Sequence, residues 1–545
     1  MVLKRDPAYF AAEARREIQR AFEQLPIFKR PRASALFHFT AVLEVETIGA
    51  LVSPFAAAPA SNMAHRRAVE ASAFAIPGIY RFCPTAASSN ICFDRQIYVE
   101  ARQLFDFCYK YEQIDFSYKL AEKGQLRIFV PKHEPRITFA YTDKSADEAE
   151  TALRGRELEV VFTGERLNVD LKTQLNLFGE LTEAMRAHIS CGENRCDYAC
   201  GPNEIGLMRK LGAEMVKSFP GEMDSTVSVS GITFGELRLY WGALLSMSNV
   251  HFMTHNLASG GVLSKWPMET AVLRKPRRAL IESISEITGL PAQRVEVVTG
   301  WYVYDPGISN RCPILQPFLL LDDDTLCLPF LFVNGNNMER NFFKLMHRHP
   351  ALRSFAQPVV ELKEPVALRE LESLFPAPKY RTRQCVEIPG VTDADLLVHE
   401  VESGFLLVIQ HKWLAAPETV EESWGNDAKL KEGVNQGVEA RDALRERPEL
   451  ARRALNLADD QPIRRIEAVT VCRGFEHTGF VGPTLVPVIT EVSFRGLYEK
   501  APTLEAFWSA LNSRPDLQRA GERVKEFQWK LKLAGFEFVM PGLAY

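Results

Sequence analysis

Three side chains in the last third of the sequence, Asp395, Gln410 and Lys412, have the types and spacing to gather around a phosphodiester. Residues 395–400 and 405–412 read as two strands with Gly404 in the turn between them, so they should pair as a hairpin. Along the second strand Leu406, Val408, Gln410 and Lys412 share one face, and Phe405, Leu407, Ile409 and His411 share the other. Along the first strand Asp393, Asp395 and Leu397 share a face. A register that pairs these faces makes Asp395, Gln410 and Lys412 converge at one end of a largely apolar hairpin. A carboxylate with neutral oxygens suits a hard divalent ion such as Mg²⁺ or Mn²⁺, which polarises a phosphate and activates water. A lysine beside it orients the water or stabilises charge on the phosphorane. The plainer alternative is an edge hairpin whose ends are merely polar.

The elements around the hairpin set its position. A strand at Tyr380–Ile388 precedes it, and a helix over 365–375, with Pro365 at its first position, ends at Pro376 and Pro378. A long polar helix over 424–446 follows, then strands at 466–472 and 486–492 and a helix at 503–512. Strands alternating with helices indicate an α/β domain with a central mixed sheet over residues 355–545. Upstream, two further regions are expected, a mostly helical α+β N-terminal region over 1–190 and a middle α+β region over 191–350. Asp6 and Pro7 start a helix over 7–24, in which Phe10, Ala14, Ile18 and Phe22 recur at helical spacing. Ala56, Ala57, Ala58 and Pro59 read as a loop, 126–130 and 137–141 as a hairpin, and 158–162 as a strand. Thr233 and Glu236 form a capping box for a long helix over 232–257, and another helix spans 276–288.

The order of an Asp, about fifteen residues, and a strand ending in acid-x-Lys resembles the PD-(D/E)xK, or restriction-endonuclease-like, nuclease superfamily. Here the ending is Gln410-His411-Lys412, similar to the Gln-x-Lys form of Mrr-like restriction enzymes. Lys412-Trp413 followed by Leu-Ala-Ala-Pro, a charged helix and Gly433-Val-Asn-Gln436 is also similar to bacterial members, and the likeness covers residues 300–500. The resemblance implies a restriction-endonuclease-like domain that cuts nucleic acid, DNA foremost, with a role in defence against foreign DNA by analogy. It implies that Asp395 and Gln410 hold Mg²⁺ or Mn²⁺, that Lys412 is catalytic and that Gln436 faces the site. It also implies a further acid from the domain's first helix. Glu370 and Glu372 are the candidates, with Glu372 carried forward as the metal ligand. Asp393 is either a second ligand or a residue that starts the strand. The alternative is a degenerate nuclease fold that binds nucleic acid or a protein partner without cutting, since an amide is a weaker ligand than a carboxylate.

His188, Cys191, Cys196 and Cys200 are the densest group of soft ligands and could hold a structural Zn²⁺, the other reading being unrelated thiols in an irregular segment. His251 and His255 lie one helical turn apart, but no Glu completes His-Glu-x-x-His, so they are expected to be core histidines. No Gly-rich phosphate loop ending in Lys-Ser/Thr occurs, which argues against a P-loop motor.

Over 545 residues, 46% hydrophobic and 25% charged residues describe a globular chain of several domains. A net charge of −4 excludes bulk attraction to nucleic acid but not a local basic patch. No window reaches the ~18 apolar residues of a membrane span. The apolar run over 314–333 is broken at 322–325 and reads as two strands joined by a turn. Ten cysteines are too sparse for a disulfide scaffold, and the first residues lack an apolar signal core, so a cytoplasmic protein is expected. A homo-oligomer or an accessory protein partner remains open at this stage.

Overall fold

A computed structural model of the chain describes residues 7–52, 58–85, 91–131, 134–142, 171–217, 223–309, 311–322, 324–334, 337–414, 420–458, 461–473, 486–513 and 525–544. The expected strand at 158–162, the Asp6 cap, and Ala56 and Ala57 lie outside these residues.

Helix α1 (Pro7–Glu23) buries Phe10, Ala14, Ile18 and Phe22, the stripe its spacing predicts. Helices α2 (Arg32–Val52), α3 (Ala58–Phe82) and α4 (Arg95–Glu122) follow. Ala58 and Pro59 open α3 instead of extending a loop, because proline fits the first turn, whose N–H groups have no intrahelical partner. Asp94 caps α4 by accepting the N–H groups of Gln96 and Ile97. Strands β1 (Leu126–Phe129) and β2 (Arg136–Tyr141) pair antiparallel, as the hairpin reading requires.

The next stretch holds α5 (Leu171–Arg186), the small hairpin β3 (Ile189–Cys191) and β4 (Cys196–Tyr198), and α6 (Pro202–Val216). Helix α7 (Phe234–Ser259) begins with the reciprocal Thr233–Glu236 capping box and ends where Gly260 turns left-handed. Strand β5 (Leu273–Pro276) runs into α8 (Arg277–Thr288) and pairs with β7 (Thr325–Leu328), which also pairs with β6 (Leu319–Leu320). Asp322 makes the β6–β7 turn by accepting the N–H groups of Asp324 and Thr325.

Helices α9 (Met338–Arg348) and α10 (Glu364–Glu372) lead to a five-stranded mixed sheet. In it β8 (Tyr380–Ile388), β9 (Thr392–Glu400) and β10 (Phe405–Trp413) run antiparallel. Strands β11 (Arg465–Arg473) and β12 (Val488–Thr490) continue it in parallel beyond β10. Helix α11 (Val420–Glu446) connects β10 to β11 and covers one face, where Leu406, Val408 and Ala468 meet Leu430 and Val434. On the other face Leu407 and Ile409 pack with Leu368 of α10 and with Phe494 and Phe507 of α12 (Glu491–Tyr498) and α13 (Leu504–Ser513). Coverage on both sides explains why 405–409 is apolar without alternation.

Two expectations are corrected. The strand expected over 486–492 stops at Thr490, whose hydroxyl caps α12 by accepting the Ser493 N–H. The chain's last stretch also leaves the five-stranded sheet. Strands β13 (Lys525–Leu533) and β14 (Phe536–Ala544) form a hairpin, and β14 pairs in parallel with β2. The 126–141 hairpin and the 525–544 hairpin therefore build one sheet, β1-β2-β14-β13, whose core joins α1 residues to Phe538 and Met540. Among the described residues no helix is long and apolar enough to cross a membrane.

Glu44 of α2 is buried, accepts the backbone N–H of Phe330, and is pushed up to about 8 by burial. The folded state therefore holds a proton there that the unfolded chain gives up near pH 4.5, and stability should fall as pH rises from about 4.5 to about 8. Glu44→Gln keeps the acceptor and removes the ionisation. Thermal melts of the full chain at pH 5 and pH 9 should show a larger loss for the wild type than for the variant, on the order of a few kcal/mol. Equal losses would mean that folding leaves the Glu44 carboxyl with its ordinary titration.

Candidate functional site

The site forms where the antiparallel ladder between β9 and β10 stops. Pairing runs from Glu400 with Phe405 to Leu396 with Ile409, and the strands then separate. The parallel ladder from β10 to β11 continues unbroken to Trp413 and Arg473, so the opening lies wholly on the β9 side. Pairing between β8 and β9 also lapses beside it, between Gln384–Leu396 and Val386–Ala394, where Cys385 takes a left-handed φ of 51°.

Buried backbone groups still need partners, and side chains supply them across the gap. Asp395 Oδ2 accepts the backbone N–H of His411 at 2.6 Å. Gln410 Nε2 donates to the carbonyl of Asp393 at 2.6 Å. Both side chains are buried, Asp395 at 8% exposure and Gln410 at 1%. Among the described residues Gln410 Oε1 is left buried with no hydrogen-bond partner, and so is the hydroxyl of Thr470, its neighbour across the parallel ladder.

Lys412 lies two residues along the same face, and its Nζ donates to Gln436 Oε1 of α11 at 2.7 Å. Gly433 lets the helix come this close. A Cβ there would sit 3.0 Å from Thr470 Cγ2 and 3.1 Å from Lys412 Cε, tighter than ordinary contact. At the far end of the hairpin Gly404, at φ 70°, leaves no room for a side chain, since a Cβ would sit 2.7 Å from the Pro462 carbonyl. The next residue after the lysine, Trp413, is anchored upstream. Its ring meets Phe343 of α9 edge to face, and Lys363 Nζ lies 3.7 Å from its centre.

Other residues singled out by the sequence lie elsewhere. Glu372 accepts the Thr382 hydroxyl at 2.6 Å and the Gln384 amide, so both its oxygens hold α10 onto β8. Glu370 and Asp393 are exposed. His411 is buried and pairs through Nε2 with Glu491 at 2.7 Å, on the face opposite Lys412. Glu491 and Thr470 were missed by the sequence reading, and no local signal links residues 60 to 80 positions from their partners to the hairpin.

The four-ligand zinc site does not assemble. Cys191 and Cys196 pair across β3 and β4, but Cys196 Sγ turns inward to the Thr254 carbonyl at 3.7 Å. Cys200 Sγ lies against Met185 Sδ, and His188 faces Glu204. The short hairpin and the start of α6 thus send the ligands in different directions. His251 and His255 are core histidines, buried, with ring centres 4.1 Å apart, and burial pushes His255 down to about 4.

Among the described residues no three His, Cys, Asp or Glu side chains are placed to share a metal ion. The open hairpin end offers a different donor set, the Asp395 carboxylate with the partnerless Gln410 Oε1. Two oxygens, one of them anionic, fit an ion of the Mg²⁺ kind, which keeps waters and takes further oxygens from a phosphate. A buried acceptor without a partner is costly alone, and a cation would satisfy it.

The hydrogen bonds separate two roles of Asp395. Asp395→Ala leaves the His411 N–H without its acceptor and should cost about 1–3 kcal/mol in urea unfolding. Asp395→Asn keeps an oxygen there and should cost less than half as much. Equal losses would show that the bond to His411 does not hold the strands. In comparisons with known proteins, no family model matches this sequence, and no curated protein or solved structure shows significant similarity to it.

Proposed function

We propose that the open end of the β9–β10 hairpin hydrolyses phosphodiester bonds in nucleic acid, with DNA as the substrate that the superfamily resemblance favours. The observation that carries this reading is the gathering of a carboxylate, a partnerless amide oxygen and an ammonium at one strand opening. Asp395 and Gln410 Oε1 would hold the divalent ion, Mg²⁺ or Mn²⁺. When bound, the ion supplies Lewis-acid polarisation of the phosphate and lowers the pKa of water. Lys412 provides a fixed positive charge for the oxygens that gain charge in the transition state, and Gln436 keeps its ammonium from swinging into solvent. The mostly helical region before residue 350 would serve recognition, regulation or assembly, including any oligomer or accessory partner.

A binding-only reading also has an observation behind it. Asp395 and Gln410 are both committed to backbone groups, a use that needs no catalysis. Nicking of supercoiled plasmid in Mg²⁺ or Mn²⁺ decides between them. Wild type should cut, and Asp395→Asn and Lys412→Ala should each lower the rate about a hundredfold or more. Cutting that survives both substitutions overturns the assignment. Absence of cutting by wild type, together with a gel shift that Lys412→Ala weakens, establishes binding instead.

Gln410→Glu gives a second test of the metal. A second carboxylate beside Asp395 should lower the melting temperature in EDTA by several degrees and regain it with Mg²⁺. Wild type should shift less. A variant indifferent to Mg²⁺ would place the ion elsewhere.

A further inference from the structure

A cavity of about 360 Å³ lies apart from the strand opening, enclosed by the β3–β4 hairpin, α6, α7, β5 and α8. At about 30 Å³ for each water-sized group, it has room for about a dozen of them. Met208, Met247, Val250 and Ile287 form an apolar wall, two of them flexible thioethers that adapt to a guest. The Lys275 ammonium enters from β5, with the Ser283 hydroxyl as its hydrogen-bond partner at 2.9 Å. No carboxylate among the described residues pairs with it, and Glu286 stands exposed at the rim. Of the other charged groups in the lining, Arg195 is paired with Asp197, and the Arg274 guanidinium donates to the Ile91 and Glu269 carbonyls. Tyr198 and His251 also line the cavity, joined by a hydrogen bond of 3.1 Å between the hydroxyl and Nδ1.

The charges decide what such a cavity takes. Burial holds His251 well below its usual range, so at neutral pH it adds a dipole but no charge. Burial also lowers Lys275, with Glu286 at the rim acting in the opposite direction, so the ammonium is short of solvent. A concave pocket with an apolar wall and placed polar groups is the usual form of a small-molecule site. We propose that this cavity binds a small amphipathic carboxylate, its head on Lys275 and Ser283 and its chain along Met208, Met247, Val250 and Ile287.

Octanoate, 1-octanol and octylammonium distinguish the head group while keeping the chain constant. Calorimetric titration of the full chain should show one octanoate bound per chain, at least tenfold tighter than octanol or octylammonium. Lys275→Met should lose at least tenfold in octanoate affinity, and Met247→Trp, which fills the cavity, should abolish binding. Circular dichroism confirms that each variant is folded, and the ligand comparison on wild type needs no variant. Octanol binding as tightly as octanoate overturns the proposal, as does undiminished octanoate binding by Lys275→Met. No octanoate binding to wild type at about 1 mM does the same. Preference for octylammonium would put Glu286 in control of the cavity, which also overturns it.

Discussion

The hydrogen bond from the His411 N–H to Asp395 is the constraint around which the sheet's open end is organised. A five-stranded sheet covered on both faces cannot leave an inner N–H without a partner. Where β9 leaves β10, the backbone partner is gone, and a carboxylate reaches across to replace it. Gln410 does the same in reverse, donating to the Asp393 carbonyl. The strands can therefore separate without exposing their ladder, and the separation makes a polar opening in an otherwise apolar sheet. Its location is fixed by β11, which stays paired with β10 along its whole length.

Three supports keep that opening in shape. Helix α11 lies close enough over Gly433 for Gln436 to hold the lysine. Glu372 ties α10 to β8 through Thr382 and Gln384, so the outer strand cannot slide. Trp413 locks the end of β10 against Phe343 and Lys363, which belong to the segment before the sheet. Lysine over two aromatic rings is favourable when desolvated. The residue beside Lys412 thus packs directly against α9.

The legible parts of this fold are those set by local pattern. Strand Tyr380–Ile388, the capped start of α7 and the two-faced alternation of β10 follow from neighbours in sequence. The split itself was not legible. Alternation alone would continue the pairing to Asp395 and beyond, and nothing in the local pattern says that the Asp395 carboxylate, not the β9 backbone, accepts the His411 N–H. Glu491 and Thr470 were hidden for the same reason, being brought to β10 by strand pairing across long stretches of chain. The closing hairpin escaped because its partner, β2, lies some 400 residues earlier. The cysteine cluster left zinc and unrelated thiols both open because spacing says nothing of direction; Cys196 turns inward to the Thr254 carbonyl and Cys200 lies against Met185.

The amide at position 410 is better understood from this geometry than from the metal alone. A glutamate there could accept but not donate, and the Asp393 carbonyl would lose the group that now reaches it. It would also put a second negative charge beside a buried carboxylate, with Lys412 already engaged by Gln436. Glutamine gives one end of its amide to the strand and keeps the other as an oxygen donor. The opening can then stay folded without a cation and still offer oxygen to one. An acid at the same place would add an uncompensated charge to the fold, whereas the amide holds the strand with one end and leaves its oxygen to the opening.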